Sequence, residues 1–301
     1  CPVINIAKFF FTILFYFIIF GIHMNLLVYP LYLIKNNKEH YDAHKEIVEL
    51  NISYVNKFQS VDDIVVIGKP VNNWAEMIND LMENIYDLLK KKNNVILCEA
   101  DNFIVEDFKE VFSLDKFTLF ALCNNGSKID KSLPGGEYLN AGFAYFPFKN
   151  FEKYFNFQTL QEDEYSKTSL IYEKKINDIF YSQFNSHIEG LNYINENIGF
   201  SKYNWRGLLC IDADSRFLYK NMPTSSEIKS IHFLNLSQYI HKIKGFDPFW
   251  YRKFINDLIS GKSKKTVVLK ILYHYWKFVD LKKFKKKYRL VKYFFKVLFS
   301  K

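Results

Sequence analysis

The sequence predicts an α/β fold, a mixed, mostly parallel sheet flanked by helices, and three observations predict it. From Met24 onward short apolar runs rich in Val, Ile and Tyr alternate with segments of helical periodicity, the pattern of strands connected through helices on the faces of a sheet. The chain has 301 residues, 49% of them hydrophobic and 19% aromatic, enough to bury a real core. It carries only 11 Gly and 7 Pro, which excludes fibrous and low-complexity classes. No internal repeat interrupts the alternation.

Residues 9–20 are an unbroken apolar run apart from Thr12, and a second run covers 26–34. A membrane span needs about 20 continuous apolar residues in one helix, whereas Gly21, His23, Asn25 and Pro30 divide this stretch. Residues 26–33 are therefore read as the first strand. Residues 1–23 read either as a single N-terminal anchor or as upstream sequence that is not translated, since Met24 stands directly before that strand.

A helix is expected over 40–58, with His40 and His44 on a solvated face, and a second strand over 63–68. Asn73 then caps a helix whose Met77, Ile78, Leu81, Met82, Ile85, Leu88 and Leu89 recur three or four apart, as a core-facing stripe does. A third strand, 95–98, ends abruptly in Glu99-Ala100-Asp101. After a short acidic helix comes a fourth, 117–123, and Pro134-Gly135-Gly136 turns the chain into a fifth extended segment, 138–148.

Charge and cysteine usage exclude several functions. The net charge is +9, but residues 262–301 carry +13 and the remainder −4. A nucleic-acid-binding body would carry its own basic face, so no nucleic-acid partner is expected. Cys1, Cys98, Cys123 and Cys210 stand far apart, without the spacing of a zinc cage or a disulfide scaffold. A reducing compartment follows as the simpler reading. There is no P-loop, no G-x-G-x-x-G after a strand, no H-E-x-x-H and no G-x-S-x-G.

In open α/β sheets ligands bind beyond the carboxyl ends of the strands, so charged residues directly after a strand come first. Glu99 and Asp101 leave the third strand two residues apart and both reach one hard cation of the Mg²⁺ or Mn²⁺ type. Alone, this spelling reads more readily as a solvated turn with a helix cap. Two further segments change its weight: Tyr138-Leu139-Asn140-Ala141-Gly142-Phe143, about forty residues on, and Ser230-Ile231-His232-Phe233, much later.

In order and spacing these three segments resemble nucleotide-sugar glycosyltransferases of the GT-A fold, the glycogenin-like group in particular. The resemblance covers roughly residues 24–244. It implies a GT-A-like, Rossmann-like domain over 24–245, with residues 246–301 as a basic amphipathic helical extension. It further implies Glu99, Asp101 and His232 as metal ligands, Asn140, Ala141 and Gly142 as the donor-sugar strand, and a divalent-metal-dependent transfer from a sugar nucleotide, UDP-sugar favoured. Asp101 is the firmer ligand of the pair, because Glu99 carries its carboxylate on a longer arm. The acidic helix start expected after the N-A-G strand reads Tyr172-Glu173-Lys174-Lys175, where Glu173 and Asp178 are the carboxylates nearby, and Glu173 joins Asp101 and Asn140 as the expected catalytic residues. The family's phosphate-binding lysine is not in register after His232, and Asn235, Lys242 and Lys244 are the nearest candidates for its role.

The chemistry fits the demands of the reaction. A nucleoside diphosphate must leave an anomeric carbon, and a cation bridging its phosphates stabilises the departing charge. Asn140 would orient the donor sugar. The acceptor is expected to be a glycan or its lipid-linked precursor. A second D-x-D, Asp212-Ala213-Asp214, resembles the nucleophile segment of haloacid-dehalogenase-like phosphatases and supplies a rival enzyme. A membrane-surface scaffold with a degenerate site is the rival outside enzymes.

From Thr266 to Phe299 apolar and aromatic residues recur near helical spacing with lysines between them. That is the composition of a segment lying on an anionic membrane surface, and residues 262–301 are expected to hold the protein peripherally on the cytosolic face. The alternative is a helix packed on the body with a lysine-rich outer face.

Overall fold

The structure is a computed structural model that describes residues 23–123, 138–161, 165–198, 224–233, 249, 251–278 and 284–300. Its centre is a five-stranded sheet in the order β3-β1-β5-β8-β7, formed by β1 (Asn25–Pro30), β3 (Asp63–Ile67), β5 (Asn94–Cys98), β7 (Thr118–Cys123) and β8 (Tyr138–Phe146). β1 pairs in parallel with both β3 and β5, while β8 enters antiparallel between β5 and β7. The sheet is thus mixed and mostly parallel, with helices against it, an arrangement compatible with a Rossmann-like fold.

The strand expected over 26–33 is two strands. Proline has no N–H to donate, and β1 ends at Pro30. Leu31 then donates to the Ile67 carbonyl at 2.7 Å, and β2 (Leu33–Ile34) pairs with β4 (Pro70–Val71) in a small separate sheet. Helix α1 (Lys38–Val55) follows, its first turn capped by the Asn37 side chain, which accepts from the His40 N–H. Its buried Ala43, Ile47, Val48, Asn51 and Val55 fall on one stripe. Helix α2 (Trp74–Lys90) starts where the sequence placed it: Asn73 Oδ1 accepts from the Glu76 N–H, and Glu76 reaches back to the Asn72 N–H, both at 2.8 Å. Its Ile78, Leu81, Met82, Ile85 and Leu89 are buried in the core beside β5.

After β8 come a single helical turn, α3 (Phe151–Tyr154), then α4 (Tyr165–Tyr181) and α5 (His187–Ile198). Asn177 fastens α4 to the sheet. Its Oδ1 accepts from the Leu139 N–H at 2.9 Å and its amide donates to the Leu139 carbonyl at 2.6 Å, so a helix side chain completes the hydrogen bonding of β8.

β6 (Asn102–Ile104), directly after the Glu99-Ala100-Asp101 turn, pairs antiparallel with β9 (Ser230–His232). Around them lies a second core that includes Phe103, Ile228, Ile231 and Phe233 together with Ala43 and Ile47 of α1. Three helices from the chain's last third complete it: α6 (Tyr251–Ile259), α7 (Lys264–Phe278) and α8 (Phe284–Phe299). α7 commits Val267, Val268, Ile271 and Leu272 to this core, each at most 1% exposed. Much of the basic segment is therefore packed on the body.

Candidate functional site

β1 sends the chain to β3 on one side, and β5 then returns to lie on the other. The order reverses between β1 and β5, and at such a point the crevice beyond the strands' carboxyl ends is the expected ligand site. A cleft of about 230 Å³ opens there. The end of β1 contributes Pro30, Leu31 and Tyr32, the end of β5 Leu97, Glu99, Ala100 and Asp101, and β8 Ala141 and Gly142. α1 adds His40 and His44, α2 adds Trp74, Met77, Ile78 and Leu81, and α4 adds Ser169, Tyr172 and Glu173.

Pairing of β5 with β8 builds the acidic corner. The Glu99 N–H donates to the Gly142 carbonyl at 2.8 Å, and the Glu99 carboxylate lies against the bare Gly142 Cα. Ala141, one residue earlier, donates its N–H to Glu173 Oε2 at 3.1 Å. Glu173 is 7% exposed. It does not start a helix, contrary to the sequence reading: α4 begins at Tyr165, so Glu173 stands in its middle, facing the strand.

Asp101, 9% exposed, follows in the same turn after β5. Its carbonyl accepts from the Phe233 N–H at 2.8 Å, and Asn102 is directly opposite His232 in the β6–β9 pair. The backbone thus carries the Ile231-His232-Phe233 segment to the Glu99-Ala100-Asp101 turn. Asn140 lies in β8 opposite Ala121, next to the cleft-lining Ala141. Asn235, Lys242, Lys244, Asp212 and Asp214 lie outside the described residues.

His40 and His44 require a correction. They are not on a solvated face: both line the cleft, their ring centroids 3.9 Å apart. His44 Nδ1 is 2.8 Å from the His40 carbonyl, which only a protonated nitrogen can satisfy. His44 Nε2 lies 3.9 Å from Asp101 Oδ2. Burial, with the His44 ring close by, lowers the His40 pKa to about 3 against a partial pull from Asp101, so His40 is neutral at neutral pH. The i, i+4 spacing of the two histidines, on the helix that follows the first strand, was the signal in the sequence. The helix's rotation toward the β5 end was not.

The aromatic wall was likewise invisible in sequence. Tyr172 is half-buried beside the acidic corner, and desolvation followed by the Glu173 and Glu99 charges raises its phenol pKa. Cys98 is buried directly beneath the turn, and desolvation, then Glu99 and Asp101, push its thiol well up, which makes it a poor nucleophile.

The described lining holds three carboxylates and two imidazoles but no lysine or arginine. No group of three His, Cys, Asp or Glu among the described residues stands close enough to hold a metal by itself. Such a site suits a hard dication that takes one or two carboxylates and completes its shell from water and a bound phosphate. No family model matches the chain, and no curated protein matches it.

Proposed function

We propose that the chain is a divalent-metal-dependent glycosyltransferase that takes a sugar from a nucleotide-diphosphate sugar, UDP-sugar first, and passes it to a glycan or lipid-linked acceptor. One observation carries the reading. Glu99-Ala100-Asp101 and Ala141-Gly142, far apart in sequence, line one crevice at the switch point of the sheet, and the β6–β9 pairing brings the backbone of Ile231-His232-Phe233 to the Glu99-Ala100-Asp101 turn.

Asp101 and Glu99 would hold Mn²⁺ or Mg²⁺, with His232 as a further ligand, and the cation would supply neutralising charge for a departing diphosphate. The residues fit it: carboxylate oxygens gather in a cleft whose described wall offers no competing cation. The protein's own groups do the rest. The Ala141 N–H fixes the Glu173 carboxylate beside the strand that would face the sugar, where a negative charge favours an oxocarbenium-like centre. Trp74, Met77, Ile78 and Leu81 give the cleft an apolar floor, which limits water and with it hydrolysis of the donor.

The direct test is nucleotide release from UDP-, GDP-, CDP- and ADP-sugars with and without Mn²⁺. Turnover of one donor that needs the metal and is lost in Asp101→Asn supports the reading. Metal-independent turnover, or full turnover in Asp101→Asn, refutes it. Loss of activity in Asp212→Asn with Asp101→Asn active would move the chemistry to the second D-x-D.

A further inference from the structure

Helix α8 has two apolar faces on opposite sides. Tyr293 and Val297, 2% and 0% exposed, close the second core. Tyr288, Val291, Phe295, Leu298 and Phe299 form another stripe, since seven residues separate Tyr288 from Phe295 and the others fall three or four apart. This stripe stays uncovered: Tyr288 is 63%, Phe295 50% and Phe299 78% exposed. The Phe295 and Phe299 rings stack at 6.0 Å, so the surface is continuous rather than a scatter of single side chains.

A helix that only packs on its own domain needs one apolar stripe. The second needs a partner, and charge identifies which. Residues 284–301 hold seven lysines and arginines and no acid. Lys292 and Lys296 are exposed on the flank between the two stripes. Two such faces would repel each other, which disfavours a second copy of this chain, whereas anionic headgroups attract the lysines while aromatic side chains settle at the headgroup boundary. No helix among the described residues is long and apolar enough to cross a membrane, so α8 would lie on the surface rather than span it.

We propose that the outer face of α8, led by Tyr288, Phe295 and Phe299 and bordered by Lys292 and Lys296, seats the protein on an anionic lipid surface. α7 is not part of this face, since its Val267, Val268, Ile271 and Leu272 are spent on the core. This proposal is independent of the glycosyltransferase reading.

The test uses the full chain and vesicles of phosphatidylcholine alone or with about 30% phosphatidylglycerol. The chain is expected to sediment with the anionic vesicles and to be released by salt. Phe295→Ser with Phe299→Ser should weaken partitioning about tenfold or more, and Lys292→Glu with Lys296→Glu should abolish the preference for anionic lipid. Both pairs are exposed, so the thermal midpoint should stay unchanged in each variant, which separates lost binding from lost folding. The proposal is overturned if the chain ignores anionic vesicles or if the folded serine variant binds as well as the parent. It is equally overturned if that variant changes from dimer to monomer with lipid binding intact, which would make the stripe a self-association surface.

Discussion

The Glu99 carboxylate occupies the space where Gly142 would carry a side chain. A Cβ built on Gly142 would stand 2.2 Å from Glu99 Cδ and Oε2, far inside contact distance. The glycine of the N-A-G segment thus sets the position of the first acid of the E-x-D segment. Gly142→Ala must expel that carboxylate, whose side chain can swing, so the variant should fold with a loss of about 1–2 kcal/mol. Its metal-dependent nucleotide binding should fall by about tenfold or more if Glu99 serves the cation. Denaturant melts and nucleotide titrations check the two halves separately, and unchanged binding would free Glu99 of that role.

Gly68 offers the contrast. A Cβ there would meet the Leu31 carbonyl oxygen at 1.7 Å, and this neighbour is backbone held by the hydrogen bond that follows β1. Gly68→Ala should cost about 2 kcal/mol or more, read from the urea midpoint.

Asn177 serves one strand residue with both ends of its amide. Asn177→Ala leaves the buried Leu139 N–H and carbonyl without those partners, an expected loss of about 3 kcal/mol in chemical denaturation. Asn177→Asp keeps the acceptor and removes the donor, so it should recover only part of the loss.

Asp257 on α6 accepts from Lys262 and, at 2.7 Å, from Lys270 on α7. These two lysines hold its carboxyl below the usual carboxylate range. A depressed folded pKa means the unfolded chain takes up the proton first, so the stabilisation is full above about pH 4 and disappears as pH falls through the folded value. Asp257→Asn should therefore cost about 1 kcal/mol at pH 7 and progressively less as the pH falls below about 4. Thermal melts of both proteins across that range give the difference.

Glu173→Gln retains an oxygen that can accept from the Ala141 N–H, so stability should change by less than about 1 kcal/mol. Activity should drop at least about tenfold if the negative charge itself is used. Nucleotide release beside a denaturation curve separates these outcomes.

Local spelling carried most of the elements. Asn73 and the stripe from Met77 to Leu89 define α2, and the short apolar run before Glu99 defines β5, because caps and periodicity act within a few residues. Register does not. The sequence gives no sign that β8 runs antiparallel between β5 and β7, which is what presses Gly142 against Glu99. His44 meets Asp101 only because α1 is rotated by two cores that share its buried stripe, Val48 and Val55 in one and Ala43 and Ile47 in the other. The periodicity of residues 266–299 reveals helices with apolar faces but not which face the body covers. α7 buries its stripe, while α8 buries one and exposes another.

The central claim is that the crevice between β1 and β5 binds a nucleoside diphosphate through a cation held at Asp101. Thermal stabilisation of the full chain by UDP, GDP, CDP and ADP, each with and without Mn²⁺, tests it most directly, because a ligand of the native state raises apparent stability. The expected result is a shift that requires one nucleotide and Mn²⁺ together and vanishes in Asp101→Ala. No shift with any pair in a folded protein, or a shift that survives Asp101→Ala, would contradict the account.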